Sequence, residues 1–262
     1  MVDVGGYQLS ALVEGDGPTT VVWLTGIGEP GSNWARVLDR LTVPTDNLVY
    51  DRAGIGTSEP IPDPEQPRPY SHFADELARL LAALDIEGGV VLVGHSFGGN
   101  IARVFTRHHQ SRVRGLVLVE SSKPYLVLWP GDDTYRADGD GSHATRIDFA
   151  RGGDEVVPLN MAVPAVVLTR TPGRWSSPLA TDAVDQDWRA AHCQLAADLG
   201  APHILAADGG HRLNAEAPGL VALAVDAVVN AVTGTPLHLD PNAVSAAGGQ
   251  LSTCPHTESG LQ

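Results

Sequence analysis

Residues 90–110 read VVLVGHSFGGNIARVFTRHHQ, and this stretch decides the fold. The apolar run Val90–Val93 is typical of a buried strand, and the pattern of Gly98–Gln110 is typical of a helix. Between them lies Gly94-His95-Ser96-Phe97-Gly98, a G-x-S-x-G sequence. So tight a strand-to-helix turn strains its central residue and leaves room only for glycine beside it. We therefore predict that Ser96 projects its hydroxyl from the sheet edge as a candidate nucleophile.

A nucleophilic serine needs a base, and the sequence offers one well-placed histidine. Around such a turn the chain order is serine, acid, histidine. His211 ends Asp208-Gly-Gly-His, directly after the last predicted strand, where a loop can carry an imidazole to Ser96. The other candidates fit less well, because they fall on predicted helices, at helix ends or inside the turn: His72, His95, His108, His109 and His192. The alternative is a glycine-rich turn at Ser96 that serves packing alone.

The acid that would orient His211 has two candidate locations. The loop after the predicted strand Ala165–Thr169 is the common one, but it reads Arg-Thr-Pro-Gly-Arg-Trp and holds no carboxylate. Glu120 directly follows the buried strand Gly115–Val119. A charged side chain at the end of a buried strand is costly, so its presence there indicates a functional role. We predict Glu120 as the acid. The alternatives are no acid at all, or one of three aspartates near the next helix: Asp182, Asp185 and Asp187.

Acyl-transfer chemistry at Ser96 also needs donors for a developing oxyanion. The backbone N–H of Phe97, the residue after the candidate nucleophile, is the expected first donor. The second should come from the glycine-rich loop after the strand Thr20–Thr25, where Ile27 is the natural candidate. The alternative is an ordinary glycine-rich loop.

Strands alternate with helices along most of the chain. The predicted strands are Tyr7–Glu14, with Val2–Val4 as a hairpin partner, Thr20–Thr25, Leu48–Asp51, Val90–Val93, Gly115–Val119, Ala165–Thr169 and His203–Ala206. Nearly continuous apolar strands indicate a mostly parallel sheet with helices on both faces, and ligands bind at the carboxyl ends of such strands. We expect one domain over residues 1–235, with an excursion at about 121–162, and a poorly ordered tail over 236–262.

Composition narrows the function classes. The chain has 262 residues, 43% hydrophobic and 18% charged, which is typical of a globular domain. The net charge of −14 argues against nucleic acid and anionic membranes as partners. Cys193 and Cys254 lie far apart in sequence, so we expect neither a disulfide framework nor a zinc set. With no membrane-spanning run and no signal-peptide pattern, we expect a cytoplasmic protein.

Four motifs together resemble the α/β-hydrolase superfamily, and in particular its small bacterial serine-hydrolase branch. They are LTGIGEPGSNW (24–34), YDRAGIGTSEP (50–60), VLVGHSFGGNIAR (91–103) and DGGHRLNAEAP (208–218). The resemblance implies an eight-stranded, mostly parallel sheet with a small cap inserted after the sixth predicted strand, Gly115–Val119. Some branches carry the acid after that strand, which supports Glu120. The oxyanion turn usually begins His-Gly, whereas this chain has Thr25-Gly26.

The resemblance also implies a function. Ser96, His211 and Glu120 would hydrolyse an ester-type small molecule (carboxylester, thioester or lactone) through an acyl-enzyme, with Ile27 and Phe97 at the oxyanion and no cofactor or metal. We expect the substrate pocket to include Trp34, Tyr125 and Trp129. The alternatives are a perhydrolase or haloperoxidase-like reaction, C–C bond hydrolysis, or a ligand-binding protein on the same fold.

Overall fold

The computed structural model describes residues 1–123, 135–139, 143–159, 162–175 and 181–254. The described strands are β1 (Val2–Asp3), β2 (Gln8–Leu9), β3 (Ala11–Gly15), β4 (Thr20–Leu24), β5 (Asp46–Tyr50), β6 (Val90–His95), β7 (Val113–Val119), β8 (Tyr135–Asp138), β9 (Thr145–Asp148), β10 (Ala165–Thr169), β11 (His203–Ala206) and β12 (Gly249–Leu251). The described helices are α1 (Ala35–Leu38), α2 (Tyr70–Ala83), α3 (Phe97–His108), α4 (Phe149–Glu155), α5 (Asp182–Leu199), α6 (Leu213–Glu216), α7 (Pro218–Val232) and α8 (Pro241–Ala246).

Eight strands form the main sheet in the order β12-β11-β10-β7-β6-β4-β5-β3. The six strands from β11 to β5 are parallel to one another, and only the edge strands β3 and β12 run antiparallel to their neighbours. Helices cover both faces. The predicted fold, an eight-stranded and mostly parallel α/β sheet, is confirmed.

The continuous apolar strands are buried because each one faces two cores. In β4, Val22 and Leu24 belong to the core that α2 and α3 cover, whereas Val21 and Trp23 belong to the core that α1 and α7 cover. Side chains alternate between the faces of a strand, so a strand covered on both faces needs apolar residues at every position. Among the described residues, no helix combines the length and the apolar character needed to cross a bilayer.

The N-terminal segment departs from the single hairpinned strand predicted over Tyr7–Glu14. Its first part, β2, pairs with β1 in a separate two-stranded sheet. Its second part, β3, pairs antiparallel with β5 at the edge of the main sheet. The chain therefore changes partner at Ser10, whose N–H donates to Ser58 Oγ at 2.8 Å.

The tail prediction is wrong for residues 236–254. Helix α8 begins at Pro241, with Asp240 as its cap accepting from the Asn242 N–H at 3.0 Å, and Val244 on this helix is fully buried. Strand β12 then pairs with β11 and supplies the eighth strand of the sheet. A three-residue edge strand carries almost no apolar periodicity, because only its pairing with β11 makes it a strand. Residues 255–262 lie outside the described part of the chain.

The two cysteines also depart from expectation, because Cys193 and Cys254 form a disulfide with a Cα–Cα distance of 5.4 Å. They are 61 residues apart in sequence. Strand β12 runs along the edge of β11, and it carries the chain end back toward α5, which holds Cys193. The separation of the two cysteines in sequence does not indicate that the chain returns in this way, so the expectation that they form no disulfide is wrong.

The excursion over residues 121–162 contains a hairpin and a helix in its described parts. Strands β8 and β9 pair antiparallel, with Ile147 fully buried in the core beneath α2. Helix α4 packs against α2 so closely that a Cβ on Gly152 would lie 2.3 Å from the Tyr70 ring. Tyr125 and Trp129, two predicted pocket residues, lie outside the described residues.

Candidate active site

Ser96 occupies the sharp turn between β6 and α3, and its backbone is strained. Its φ is 52° and its ψ is −119°, a conformation that costs a non-glycine residue about 1–3 kcal/mol. The close approach of the flanking backbones requires the glycines. A Cβ on Gly94 would lie 2.6 Å from the carbonyl oxygen of Gly98, and one on Gly98 would lie 2.3 Å from that of Leu24. The turn therefore forms as the sequence predicts.

The structure brings Ser96, His211 and Glu120 into one hydrogen-bonded chain. His211 Nε2 lies 2.9 Å from Ser96 Oγ, and His211 Nδ1 lies 3.0 Å from Glu120 Oε2. The loop after β11 supplies the histidine, and the residue directly after β7 supplies the carboxylate. Because β7 lies beside β6, which ends directly before Ser96, all three groups meet at the carboxyl edge of the sheet.

The three aspartates that were alternative candidates for the acid do not contact His211 in the structure. Asp185 forms an ion pair with Arg170 and accepts a hydrogen bond from the Gly173 N–H at 2.9 Å. Asp187 forms an ion pair with Lys123. Asp182 begins α5 in an exposed position, where a carboxylate stabilises the helix dipole. Among the described residues, the carboxylate in contact with His211 is that of Glu120.

Glu120 is fully buried, yet hydrogen bonds surround its carboxylate. Oε1 accepts from the backbone N–H of Arg170 at 2.7 Å and from Trp188 Nε1 at 3.1 Å, while the Arg170 guanidinium donates to Oε2 at 3.3 Å. Burial alone raises the pKa of Glu120. The hydrogen bond from His211 and the charges of His192, His211 and Arg170 outweigh burial and lower that pKa to about 2. The carboxylate is therefore ionised at neutral pH.

Backbone strain marks Glu120 as well. Its φ is 50°, and the described residues other than glycine with a positive φ are Asp63, Asp85, Ser96 and Glu120. Two of these four belong to the hydrogen-bonded chain at His211. Strain of this kind persists only where surrounding contacts fix the conformation, as the contacts of the Glu120 carboxylate do here.

Arg170 occupies the position after β10 where the sequence lacks the usual acid. Its side chain is almost fully buried, pairs with both Glu120 and Asp185, and lies 3.7 Å above the centre of the Trp175 ring. Strands β7 and β10 are parallel neighbours, so the residues that follow them meet. The cation beside Glu120 adds to the effect of His211 and His192 in keeping this buried carboxylate charged.

Two tryptophans enclose the His211 ring. Trp175 stacks on it with 5.6 Å between ring centres, and Trp188 meets it edge-on at 5.8 Å. Trp188 also donates to Glu120, so one side chain contacts both partners. Sequence reasoning predicted neither of these contacts with His211. The available signal for Trp188 was a large aromatic residue in the helix after β10.

Glu29 and His95 link the loop after β4 to the His211 loop. His95 Nε2 donates to the carbonyl oxygen of His211 at 2.7 Å, and His95 Nδ1 lies 3.1 Å from Glu29 Oε2. Each ring nitrogen of His95 therefore has an oxygen acceptor beside it, one in each loop. Burial raises the pKa of Glu29, but the hydrogen bond and charge of His95, with the charge of Arg212, lower it to about 2. Sequence reasoning missed Glu29.

The candidate oxyanion loop is held from its other side by a buried ion pair. Arg52 donates to Asp138 at 2.6 and 2.9 Å, and to the carbonyl oxygens of Thr25 at 2.9 Å and Gly26 at 2.6 Å. Asp138 also accepts from the Gly28 N–H at 2.6 Å. Asp138, on β8 of the insertion, thus holds the loop directly at residue 28 and, through Arg52, at residues 25 and 26. No local pattern indicates this role, because Asp138 lies in a polar, aspartate-rich run.

The predicted oxyanion donors are Phe97, which directly follows Ser96, and Ile27, in the loop after β4, the strand that pairs with β6. Phe97 is fully buried and begins α3, where the first N–H groups of a helix have no partner within the helix. Ile27 is half-buried in the loop after β4. That loop lacks the usual histidine. Thr25 shapes it instead, because its hydroxyl donates to the carbonyl oxygen of Glu29 at 2.8 Å.

Ser122 is a further neighbour of Ser96 that sequence reasoning missed. Its Oγ lies 3.1 Å from Ser96 Oγ, and its backbone N–H donates to the Ser96 carbonyl oxygen at 3.0 Å. It follows Glu120 by two residues, so the strained turn after β7 delivers both side chains to the site.

Trp34 is not a pocket residue. It is fully buried in the core that α1 and α7 cover, with its ring centre 5.1 Å from that of Trp23. The Trp34 ring meets the buried side of His95 edge-on at 6.4 Å. The expectation that Trp34 lines the pocket is wrong, because the short 3₁₀ turn at Gly31–Trp34 directs this side chain into the core.

The chain is similar to one protein family and to parts of several known proteins. Residues 19–139 match the family described as alpha/beta hydrolase fold. The chain is 32% identical over 157 residues to the polyketide synthase ThaQ of Burkholderia thailandensis, covering 57% of this chain and 7% of ThaQ. It is 34% identical over 122 residues to 2-hydroxymuconate semialdehyde hydrolase of a Pseudomonas species, covering 47% of this chain and 39% of that enzyme. The chain thus aligns with less than half the length of either relative.

Solved structures agree on the fold. The crystal structure of a lipase from Acinetobacter baumannii superposes with a TM-score of 0.62 at 19% identity, covering 88% of this chain and 90% of the lipase. Together with the eight-stranded sheet and the strained turn at Ser96, these similarities show that the chain has the α/β-hydrolase fold.

Proposed function

We propose that the protein is a serine hydrolase of the small bacterial branch, and that it cleaves ester-type bonds in small molecules through an acyl-enzyme. The observation that carries the proposal is the continuous chain from Ser96 Oγ through His211 to Glu120, at 2.9 and 3.0 Å. A histidine so placed can take the serine proton while the carboxylate stabilises the imidazolium that forms.

The proposed mechanism has two halves. Ser96 Oγ attacks the substrate carbonyl as its proton passes to His211 Nε2, and the resulting imidazolium then gives that proton to the leaving group. Water next attacks the acyl-enzyme, with His211 as base, and releases Ser96 and the acid. Glu120 stays ionised throughout, because its low pKa keeps it charged beside the imidazolium.

The proposed oxyanion donors are the backbone N–H groups of Phe97 and Ile27. The helix that begins at Phe97 directs its positive end toward the reacting oxygen. The contacts of Arg52, Asp138 and Glu29 hold the loop around Ile27, so this donor needs little reorganisation in the transition state. Such preorganised donors are each worth about 10²–10³ in rate.

C–C bond hydrolysis is the second candidate, favoured by the similarity to the Pseudomonas semialdehyde hydrolase. It would use the same serine, histidine and carboxylate. A ligand-binding protein has less support, because binding alone requires no serine–histidine–carboxylate chain. The cytoplasmic location remains a proposal from the sequence, and cell fractionation tests it.

The test is reaction of the purified protein with a fluorophosphonate probe, read by intact mass. We expect one adduct on the wild type and none on Ser96→Ala. Glu120→Gln should label slowly, whereas Asp185→Asn, which removes the alternative acid, should label at close to the wild-type rate. An unlabelled but folded wild type would overturn the proposal. Ester, thioester, lactone and C–C substrates then separate the candidate reactions.

A further inference from the structure

A second cluster of reactive side chains lies away from Ser96, where α5 packs against β11 and β12. His203 begins β11, Cys193 lies on α5, and Cys254 follows β12. His203 Nδ1 is 3.2 Å from Cys254 Sγ and 3.7 Å from Cys193 Sγ, and the three atoms lie within 4.8 Å of one another. Two sulfurs and an imidazole nitrogen at this spacing form a ligand set for a thiophilic metal ion.

The His203 ring is already oriented for such a role. Its Nε2 lies 2.7 Å from Thr169 Oγ1 on the neighbouring strand β10, so the other nitrogen faces both sulfurs. Histidine ligands are commonly fixed in this way by a hydrogen bond at the second ring nitrogen. Burial, together with the charges of His192 and Arg189, lowers the pKa of His203 to about 4, so the imidazole is neutral at pH 7. The neutral form is the one that binds metals.

The cluster is open to small molecules. A cavity of about 680 Å³ lies over it, lined by Cys193, His203 and Cys254 together with Arg189, Gln194 and Ser252. A reductant can therefore reach the disulfide. Zinc sites with three protein ligands keep a fourth position for water or another ligand, and this cavity provides the space for one.

We propose that, when the Cys193–Cys254 disulfide is reduced, this cluster binds one Zn²⁺ through the two sulfurs and His203 Nδ1. The disulfide and the metal site are then alternative states of one pair of cysteines. The distance between the two cysteines along the chain argued against a zinc set, but tertiary packing brings them together.

The chemistry balances with a dithiol as reductant. Two exchange steps break the S–S bond, place one hydrogen on each protein sulfur, and oxidise the reductant to a cyclic disulfide. Zn²⁺ then replaces the two thiol protons, which pass to solvent, and forms two Zn–S bonds and one Zn–N bond. The metal does not change oxidation state.

The simpler alternative is a structural disulfide beside which Nδ1–H donates to sulfur. The two cases differ in what the reduced protein does with metal. In the test, the full chain is reduced with a dithiol, freed of reductant under argon, and titrated with Co²⁺. We expect one Co²⁺ per chain, with intense near-ultraviolet thiolate absorption and the visible bands of a tetrahedral site. Zn²⁺ should displace the Co²⁺, and the oxidised protein should bind neither.

Variants identify the ligands. We expect Cys254→Ser and His203→Ala to weaken Zn²⁺ binding at least tenfold, and Thr169→Val to weaken it about 10–100-fold by releasing the His203 ring. The control is His108→Ala, which removes an exposed histidine at the end of α3 and should bind as wild type does. Circular dichroism checks that each variant is folded.

A measurement on the wild type alone keeps the test decisive if a variant fails to fold. Zn²⁺ should slow alkylation of Cys193 and Cys254 in the reduced protein, as read by peptide mass. Two outcomes would overturn the proposal. One is a folded, reduced wild type that binds no stoichiometric metal and gains no protection. The other is a folded His203→Ala that binds Zn²⁺ as tightly as wild type.

Discussion

Two groups of buried charges flank Ser96, and they use charge differently. On the acid side, Arg170 pairs with the carboxylate that contacts His211, so its charge helps to set the ionisation of a proposed catalytic group. On the oxyanion side, Arg52 and Asp138 pair with each other, and both also form hydrogen bonds with the backbone at residues 25–28. Charge regulates protonation on one side and backbone position on the other.

Because of this difference, we expect substitutions on the two sides to impair the protein in different ways. A change on the acid side should alter the chemical step and its response to protonation while the fold survives. A change on the oxyanion side should destabilise the protein and slow the reaction together, because one ion pair holds both the insertion and the loop. The following variants test this division, on a substrate identified by the panel above.

The largest expected effect is on the acid side. Glu120→Gln keeps the shape of the side chain but removes the charge that stabilises the His211 imidazolium. We expect kcat to fall by about 10⁴, as for loss of charge at the acid of other serine triads. The matched control is Asp185→Asn, which removes the other carboxylate beside Arg170 and should cost less than tenfold. Equal losses in the two variants would contradict the assignment of Glu120.

The next largest effect is on the oxyanion side. Asp138→Asn leaves the Arg52 guanidinium buried without its counter-charge, which typically costs about 3–5 kcal/mol of unfolding free energy. Urea unfolding measures that loss, and kcat should fall with KM nearly unchanged, since the loop acts on the transition state. The double variant Arg52→Met, Asp138→Leu should recover much of the stability but not the rate. Full activity in a destabilised Asp138→Asn would separate the ion pair from the loop.

A smaller effect is expected at Glu29, which connects the two sides. Glu29→Gln removes the carboxylate that faces His95 and the Gly26 N–H, while the Arg52 contacts still hold the loop. With one of two supports lost, we expect kcat to fall about tenfold, below the 10²–10³ cost of losing a whole oxyanion donor. Steady-state kinetics beside Asp138→Asn gives the order of the two effects, and a larger loss at Glu29 would reverse it.

The smallest expected effect is on acid stability. The pKa values of Glu120 and Glu29 are lowered to about 2 in the folded protein from an ordinary 4.5, so each favours folding fully above pH 4.5. That contribution is lost as the pH falls from about 4.5 toward 2, because the unfolded chain then binds more protons. Urea unfolding between pH 6 and 3 should show a shallower pH dependence for Glu120→Gln than for wild type. Identical slopes would contradict the lowered pKa.

Sequence reasoning located the fold, the turn and the proposed catalytic chain because each has a local signal. Ser96 lies in a short motif between a strand and a helix, and Glu120 interrupts an apolar run at a strand end. The supporting residues have no such signal. Arg170 and Trp188 become partners of Glu120 only when β7, β10 and α5 are packed side by side. Trp34 shows the converse, since an aromatic residue near a functional loop can face the core.

The sequence by itself determined the six parallel strands of the main sheet, their burial on both faces, and the serine, histidine and glutamate that the carboxyl edge of the sheet brings together. Local periodicity and turn chemistry suffice for these, because they depend on neighbours in the chain. Only the tertiary structure decided that Asp138 supports the loop at residues 25–28, that β12 completes the sheet, and that Cys193 meets Cys254 and His203. Each of these contacts joins segments distant in sequence, and packing alone sets the distance between such segments.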